Sequence, residues 1–211
     1  MKNKVIREMT LSAAIIAIIA IMSYVPYVGY ITIAGFASIC TIHIVVLVCA
    51  LLFGWKQGLV AGIAFGLFSL LKALTMPASS IDFAFVNPLI SILPRAIFGL
   101  VAGLLFSLIK KMPSISWRTV LYVCASIILT IFHSFLVLLM LWFFRQSLAF
   151  NNNFMNVLSA IIAVNALIEL IAAGILVPMI AWPLSKAFPQ YNPYYKKTSK
   201  TINDLYIKKE Q

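Results

Sequence analysis

Apolar residues run in long blocks along the whole chain, and short polar stretches separate the blocks. A helix needs about 20 mostly apolar residues to cross a bilayer, so blocks of this length predict membrane-spanning helices. The blocks predict six helices, at residues 9–27, 41–54, 57–76, 88–110, 117–144 and 157–186. We therefore expect an all-α fold, a compact bundle of six transmembrane helices in residues 1–186, with a basic cytoplasmic tail in residues 187–211.

The lengths of the blocks are uneven. The second block is shorter than a membrane span requires. The segment YITIAGFASICTIHI around its start either contributes to that span or forms an irregular outer loop. The fifth and sixth blocks exceed the required length, which predicts that these helices tilt or emerge from the bilayer.

Composition and charge support a membrane protein. Of the 211 residues, 63% are hydrophobic and only 10% are charged, against about 25% charged in ordinary soluble domains. The net charge of +11 is compatible with nucleic-acid binding, but the positions of the basic residues are not. With a cytoplasmic amino terminus, all of the 16 basic residues except Lys72, Arg95 and Arg145 lie on the inner side. This asymmetry predicts a multi-pass protein of the cell membrane with both termini in the cytoplasm and no nucleic-acid partner.

Small residues recur every four positions in three of the predicted helices. They are Ala13 and Ala17 in the first, Gly58, Gly62 and Gly66 in the third, and Gly99 and Gly103 in the fourth. This spacing makes a groove on one helix face, where a neighbouring backbone can approach closely. For the glycines we expect packing within the bundle. For Ala13 and Ala17, packing within the bundle and docking to another membrane subunit both remain open.

Arg95 lies in the middle of the apolar fourth block. Asn87 followed by Pro88 is a helix-start signal, and at about 1.5 Å per residue Arg95 lies about 10 Å below that start, in the outer half of the bilayer. Pro94 has no N–H, so it is expected to leave the Ile90 carbonyl without its helical partner.

Other polar side chains are expected at similar depth in the membrane. They are His43, Lys72, His133, Asn165 and Glu169, with Asn87 at the helix start. A charged group inside a span costs about 2.5–3.5 kcal/mol, so such groups face partners or a water-filled cavity. Glu169 alone cannot neutralise both Arg95 and Lys72. The spare positive charge predicts a site for a small anionic ligand that arrives from outside, and arginine offers a planar fork that fits a carboxylate.

Each of these residues also has a structural interpretation. Arg95 can pair with Glu169, and Lys72 can extend to the membrane interface. The histidines can be satisfied in the core, Asn87 can be only a cap, and Asn165 can bond a neighbouring helix. Aromatic residues of the outer region are expected either to wall the site or to form an interfacial belt; they are Tyr24, Tyr27, Tyr30, Phe83, Phe85 and Trp142.

Motifs for catalysis or metal binding are absent from the sequence. It contains no GxxxxGK[ST] phosphate loop, no HExxH and no GxSxG, so an enzyme of the corresponding classes is disfavoured. Cys40, Cys49 and Cys124 are isolated and lack metal-ligand spacing. We expect no catalytic residue, metal ion or cofactor in this chain.

Three stretches, together with the alanine face at Ala13 and Ala17, resemble the substrate-binding (S) component of energy-coupling factor (ECF) vitamin transporters. They are HIVVLVCALLFGWKQGLVAGIAFGLFSLLKA from His43, FAFVNPLISILPRAIFGLVAGL from Phe83 and NALIELIAAGIL from Asn165. The resemblance implies a subunit that binds a vitamin from outside and docks on a membrane coupling subunit with two cytoplasmic ATPases. It also implies that the subunit topples in the membrane to deliver the vitamin, and that Ala13 and Ala17 face the coupling subunit.

Within that family, the sequence is most similar to pantothenate-specific members. Riboflavin members carry a DFSD.P pattern where this chain has SICTIHIVV, and the spare positive charge favours a ligand with a carboxylate. The resemblance implies that Arg95 holds the carboxylate with Lys72 or His43, and that Asn87, His133, Asn165 and Glu169 bond the amide and hydroxyls. Folate is the alternative within the family, and a membrane scaffold without a ligand is the alternative of another class.

Overall fold

The computed structural model describes residues 2–33, 37–77, 82–112, 114–146 and 152–187. Six α-helices occupy most of these residues: α1 (Lys2–Tyr24), α2 (Ile42–Phe53), α3 (Trp55–Thr75), α4 (Pro88–Ile109), α5 (Ile115–Phe143) and α6 (Asn152–Ala187). An antiparallel hairpin, β1 (Tyr30–Ile33) and β2 (Ala37–Cys40), joins α1 to α2. A short 3-10 helix, Asp82–Val86, precedes α4.

Five of the helices are long and apolar enough to cross a membrane, and α2 is the exception. It has only 12 residues, and every side chain from Val46 to Leu52 is buried. Helices α1, α3, α4 and α6 all contact α2, which explains why α2 is apolar all round. The chain is therefore a helical, multi-pass membrane protein, and the length of α2 leaves the predicted sixth full span unconfirmed.

The region between α1 and α2 differs in two ways from the prediction. The first helix was expected at residues 9–27, but α1 runs from Lys2 to Tyr24. Its end falls earlier because Pro26 disfavours helical backbone at the residue before it, and Tyr27 has a φ of 62°. The following segment, left open between part of the second span and an irregular loop, forms a hairpin in which Tyr30 pairs with Cys40.

The start of α4 and the glycine faces are as predicted. Asn87 caps α4, and Pro88 is its first residue. Helices α3 and α4 share the most extensive helix–helix contact among the described elements. A Cβ atom at Gly62 would overlap the backbone of Arg95, and one at Gly58 would overlap that of Gly99. The glycines therefore let α3 lie directly against the backbone of α4 where Arg95 is located.

Cation–aromatic pairs lie at the ends of the long helices. The Lys186 Nζ is 4.0 Å from the Trp182 ring centroid, and the Arg145 Cζ is 4.4 Å from that of Trp142. Amphipathic pairs of this kind suit the membrane–water interface. The predicted orientation of the termini stays a prediction, and the predicted tail, residues 187–211, falls outside the described residues apart from Ala187.

Candidate ligand-binding site

Four helices bring polar and aromatic side chains together in the buried centre of the bundle. We call this group the arginine–histidine cluster; it consists of His43 (α2), Phe65 (α3), Arg95 and Phe98 (α4), and His133 (α5). The ring centroid of His133 lies 4.8 Å from that of Phe98, 5.8 Å from that of Phe65 and 6.1 Å from that of His43. The Arg95 Cζ lies 5.4 Å from the Phe65 centroid. Arg95 and His133 are each 5% exposed, and His43 is fully buried.

The hydrogen bonding of the two buried histidine rings is incomplete in the described part of the chain. None of their four ring nitrogens has a hydrogen-bond partner among the residues that the structure describes. Leaving a buried polar group unpaired costs about 1–3 kcal/mol, so such groups are rare and need an explanation. The interpretation of His43 and His133 as satisfied core residues therefore does not hold for the described part of the chain. Both rings retain the capacity to bind a polar ligand.

Arg95 is only partly satisfied. Its Nη1 donates a 2.7 Å hydrogen bond to the Ile90 carbonyl. This carbonyl has no backbone donor in the helix, because Pro94 lacks an N–H. Its Nε is buried and has no partner among the described residues. The Phe85 ring centroid lies 4.7 Å from the Arg95 Cζ, close enough for a cation–π contact. The guanidinium is thus held on one side and unpaired on another.

The hydrogen bond that Glu169 forms is to a backbone amide and not to Arg95, as a structural bridge would require. Its Oε1 accepts a 2.6 Å hydrogen bond from the backbone N–H of Cys40, which ties the hairpin to α6. Burial, together with the Glu169 charge, raises the pKa of the Cys40 thiol to about 12, so this thiol stays neutral. Asn165 lies one turn before Glu169 on α6 and is half-buried.

Asn87 and Ser91 organise the start of α4. The Asn87 Oδ1 accepts a 3.0 Å hydrogen bond from the Leu89 N–H, which confirms the capping interpretation. The Ser91 hydroxyl donates a hydrogen bond to the Phe85 carbonyl. This bond joins the 3-10 helix to α4 and helps to hold the Phe85 ring beside Arg95.

Lys72 lies in a groove near the hairpin, which we call the outer groove. The groove has a volume of about 240 Å³, and the residues that line it include Ser23, Tyr24, Tyr27, Tyr30, Lys72 and Met76. The Lys72 Nζ is 3.7 Å from the centroid of the Tyr30 ring. The Tyr30 hydroxyl is buried near the Ser69 side chain, and burial raises its pKa, so it stays protonated. The Arg95 charge opposes this rise in the Tyr30 pKa.

Ala13 and Ala17 lie on a face of α1 that is directed away from the bundle. Both alanines are exposed, whereas Ile15 and Ile19 of the same helix are buried. At 100° per residue the two pairs lie on nearly opposite sides of a helix. Packing of the alanines within the bundle, one of the two open interpretations, is therefore wrong, and their face is available to a partner or to lipid.

Sequence reasoning missed the aromatic walls of the cluster. Phe98 follows Arg95 by three positions, so helical spacing places both on one face of α4, and this signal could have identified it. Phe65 and the Cys40 amide meet the site only through tertiary contacts. Among the described residues, no three His, Cys, Asp or Glu side chains form a group that could hold a metal ion.

The comparison with known families agrees with this architecture. A family model described as "ECF transporter, substrate-specific component" matches residues 7–181. The matched range runs from α1 into the last turns of α6 and includes every residue of the arginine–histidine cluster. No curated protein matches the chain.

Proposed function

Because the chain belongs to the family of ECF transporter substrate-specific components, we propose that its arginine–histidine cluster binds a vitamin with a carboxylate group, and that this vitamin is pantothenate. Membership makes the chain the vitamin-type substrate-binding subunit of a transporter rather than an enzyme. The observation that carries the proposal is the partly satisfied Arg95. It is buried among aromatic rings, and its Nε lacks a partner among the described residues.

The charges around the cluster support an anionic ligand. The Arg95 guanidinium bonds a neutral carbonyl, and the Glu169 carboxylate bonds a backbone amide. Glu169 therefore acts on Arg95 only through space, and a buried positive charge favours a negative ligand group. A carboxylate on Arg95 would form two charge-assisted hydrogen bonds, which are about twice as strong as neutral ones.

The rest of pantothenate, an amide and two hydroxyls, matches the remaining polar groups. Each neutral histidine ring carries one donor and one acceptor nitrogen, so His43 and His133 can bond a hydroxyl or an amide from two sides. Asn165 and Glu169 are placed along α6 to bond the distal hydroxyls in our proposal. Asn87 is already engaged as a cap, so its contribution would be to hold α4 in place.

The outer groove supports access from outside. Lys72 lies in it, and its positive charge attracts anions before they reach Arg95. Tyr24, Tyr27 and Tyr30 give the groove amphipathic walls. We propose that the vitamin enters here and passes Tyr30 to reach the cluster.

Delivery into the cell requires partners in our proposal. The exposed Ala13–Ala17 face of α1 would dock on a membrane coupling subunit, and two cytoplasmic ATPases would drive toppling of the subunit. Small residues on an exposed helix face allow close helix–helix contact. This mechanism places both termini in the cytoplasm of a cell membrane, with the basic tail of residues 187–211 against anionic lipid headgroups.

Equilibrium binding tests the substrate. We expect radiolabelled pantothenate to bind the purified protein saturably and to raise its melting temperature within a panel of vitamins. Tight binding of folate without pantothenate would replace the substrate by the alternative within the family. A stable complex with the coupling subunit, but no thermal shift with any vitamin, would instead favour a scaffold without a ligand.

A further inference from the structure

We infer that Pro94 is a positioning residue for ligand binding: by removing one helical hydrogen bond, it fixes Arg95 with a single guanidinium edge free for one carboxylate. The inference rests on the proposed function and specifies its ligand class, a monocarboxylate. It assigns a role to a residue that touches no ligand itself.

The first step is the hydrogen bond that Pro94 does not make. In an α-helix the carbonyl of residue 90 accepts from the N–H of residue 94, and proline has no such N–H. Ile90 is completely buried, so water cannot replace the missing donor. The Nη1 of Arg95 does so, at 2.7 Å from the Ile90 oxygen. The arginine side chain thus folds back along its own helix to satisfy the carbonyl that its neighbour leaves open.

The second step concerns the remaining donors of the guanidinium. Arginine has five N–H donors in a planar fork, and the edge formed by Nε and Nη2 matches the two oxygens of a carboxylate. The bond to Ile90 uses Nη1, which is not part of this edge. Nε is buried and has no partner in the described part of the chain. This edge accepts one carboxylate, and on the end-on edge formed by Nη1 and Nη2 the Nη1 group is already engaged by the Ile90 carbonyl.

The third step is the rigidity of the arrangement. Phe85 and Phe65 lie with their ring centroids 4.7 Å and 5.4 Å from the Arg95 Cζ. The Ser91 hydroxyl bonds the Phe85 carbonyl, and Gly62 lets α3 pack on the Arg95 backbone. The side chain is therefore held at its head and at its backbone. Groups that are ordered before binding lose less conformational entropy when the ligand arrives.

Pro94→Ala tests this positioning. Alanine restores the N–H at residue 94, so the Ile90 carbonyl regains its helical donor and releases Nη1. We expect the affinity for pantothenate to fall roughly tenfold, because the freed arginine must be ordered on binding. The preference for pantothenate over its uncharged carboxamide analogue should fall as well. The melting temperature without ligand should not decrease, since alanine is a better helix former than proline.

Pro178→Ala is the matched control. Pro178 also lies inside a helix, α6, but the residue that follows it is Met179 rather than an arginine. We expect this variant to keep both the affinity and the preference of the natural protein. Equal affinity and equal carboxylate preference in Pro94→Ala and the natural protein would overturn the inference.

A measurement without ligand separates this inference from the proposed function. Side-chain ¹⁵N NMR should show a hydrogen-bonded Arg95 Nη in the natural protein that is lost in Pro94→Ala and retained in Pro178→Ala. An unchanged Arg95 signal would overturn the positioning role, whatever the ligand. If the signal changes as expected but no vitamin binds the natural protein, the positioning of Arg95 stands and the proposed function fails.

Discussion

Buried polar side chains in the spans form two groups that differ in their hydrogen bonding. Ser23, Ser126 and Thr130 each donate to a carbonyl of the preceding helical turn, at 2.8 to 2.9 Å. Such bonds make hydroxyl groups tolerable in an apolar interior. His43 and His133 have no equivalent bond within the described residues. The two histidines keep unused hydrogen-bonding capacity, as the Nε of the neighbouring Arg95 does.

At the residue scale, Arg95→Met should remove most of the ligand affinity. Loss of a buried, charge-assisted contact costs about 2–5 kcal/mol, which is roughly 30-fold or more in the dissociation constant. The melting temperature without ligand should fall only modestly, because the Ile90 carbonyl loses its donor while the cost of burying a charged guanidinium disappears. Equilibrium binding and thermal unfolding measure the two effects.

Arg145→Met is the control for this substitution. Arg145 stacks on Trp142 beyond the end of α5, away from the cluster, so its variant should bind as the natural protein does. Unchanged affinity in Arg95→Met would assign Arg95 a purely structural role. Loss of folding in Arg95→Met would have the same meaning.

At the element scale, the contact between α3 and α4 sets the geometry around Arg95. The glycines of α3 bring its backbone against that of α4, and the same approach places Phe65 beside Arg95. Helix packing in membranes depends on such close contacts, since lipid and protein interior are similarly apolar. The packing of α3 against α4 therefore fixes the position of the Arg95 guanidinium.

Gly62→Ala should destabilise this packing. The added Cβ would overlap the Arg95 carbonyl, and backbone atoms cannot move aside without separating the helices. Overpacking of this kind costs about 1–3 kcal/mol. Unfolding in detergent would measure the loss of stability, and ligand affinity should fall with it.

Gly174→Ala in α6 is the matched comparison. Its Cβ would meet only Cδ1 and Cγ1 of the Ile127 side chain, both at 3.3 Å, and a side chain can rotate away. We expect a smaller loss of stability than in Gly62→Ala and no change in affinity. Equal losses in the two variants would show that the α3–α4 approach is not tightly constrained.

Local sequence patterns predicted some of these elements and not others. Asn87 and Pro88 identified the first turn of α4 because capping depends on local backbone geometry. The hairpin between α1 and α2 was not predicted, because its strands have only four residues each. Strands this short carry little alternation of apolar and polar residues. Tertiary contacts, such as that between Glu169 and Cys40, hold them in place.

At the scale of the whole molecule, the bundle leaves α1 at its periphery. Ile15 and Ile19 anchor α1 to the rest of the bundle, while Ala13 and Ala17 are exposed on its other side. The arginine–histidine cluster is formed by α2, α3, α4 and α5, and it contains no side chain from α1. The proposed docking face and the proposed ligand-binding cluster therefore lie on different helices and can be tested separately.

The double substitution Ala13→Leu and Ala17→Leu should impair uptake without changing ligand affinity. Large side chains would prevent close approach of a coupling subunit, which should weaken the free energy of docking by about 1–3 kcal/mol. We expect roughly tenfold less uptake in cells that express the coupling module, and normal binding by the purified protein.

Val120→Phe adds similar bulk to an exposed position of α5 and serves as the control, with uptake expected to be normal. Normal uptake by the double alanine variant as well would mean that the α1 face meets only lipid. Reduced uptake by both variants would point to a general effect of bulk on the bundle.

The sequence by itself determined that this is a helical membrane protein, where most of its helices lie, and which polar residues occur within them. Those features depend on hydropathy and local signals such as Asn87–Pro88, which act over a few turns. Only the tertiary structure decided that Arg95, His43 and His133 meet, that Lys72 lies against Tyr30, and that Glu169 bonds the hairpin. The reason is physical: lipid is as apolar as the protein core, so hydropathy cannot show which face of a spanning helix turns inward. Which helices become neighbours depends on packing between elements that are far apart in the chain.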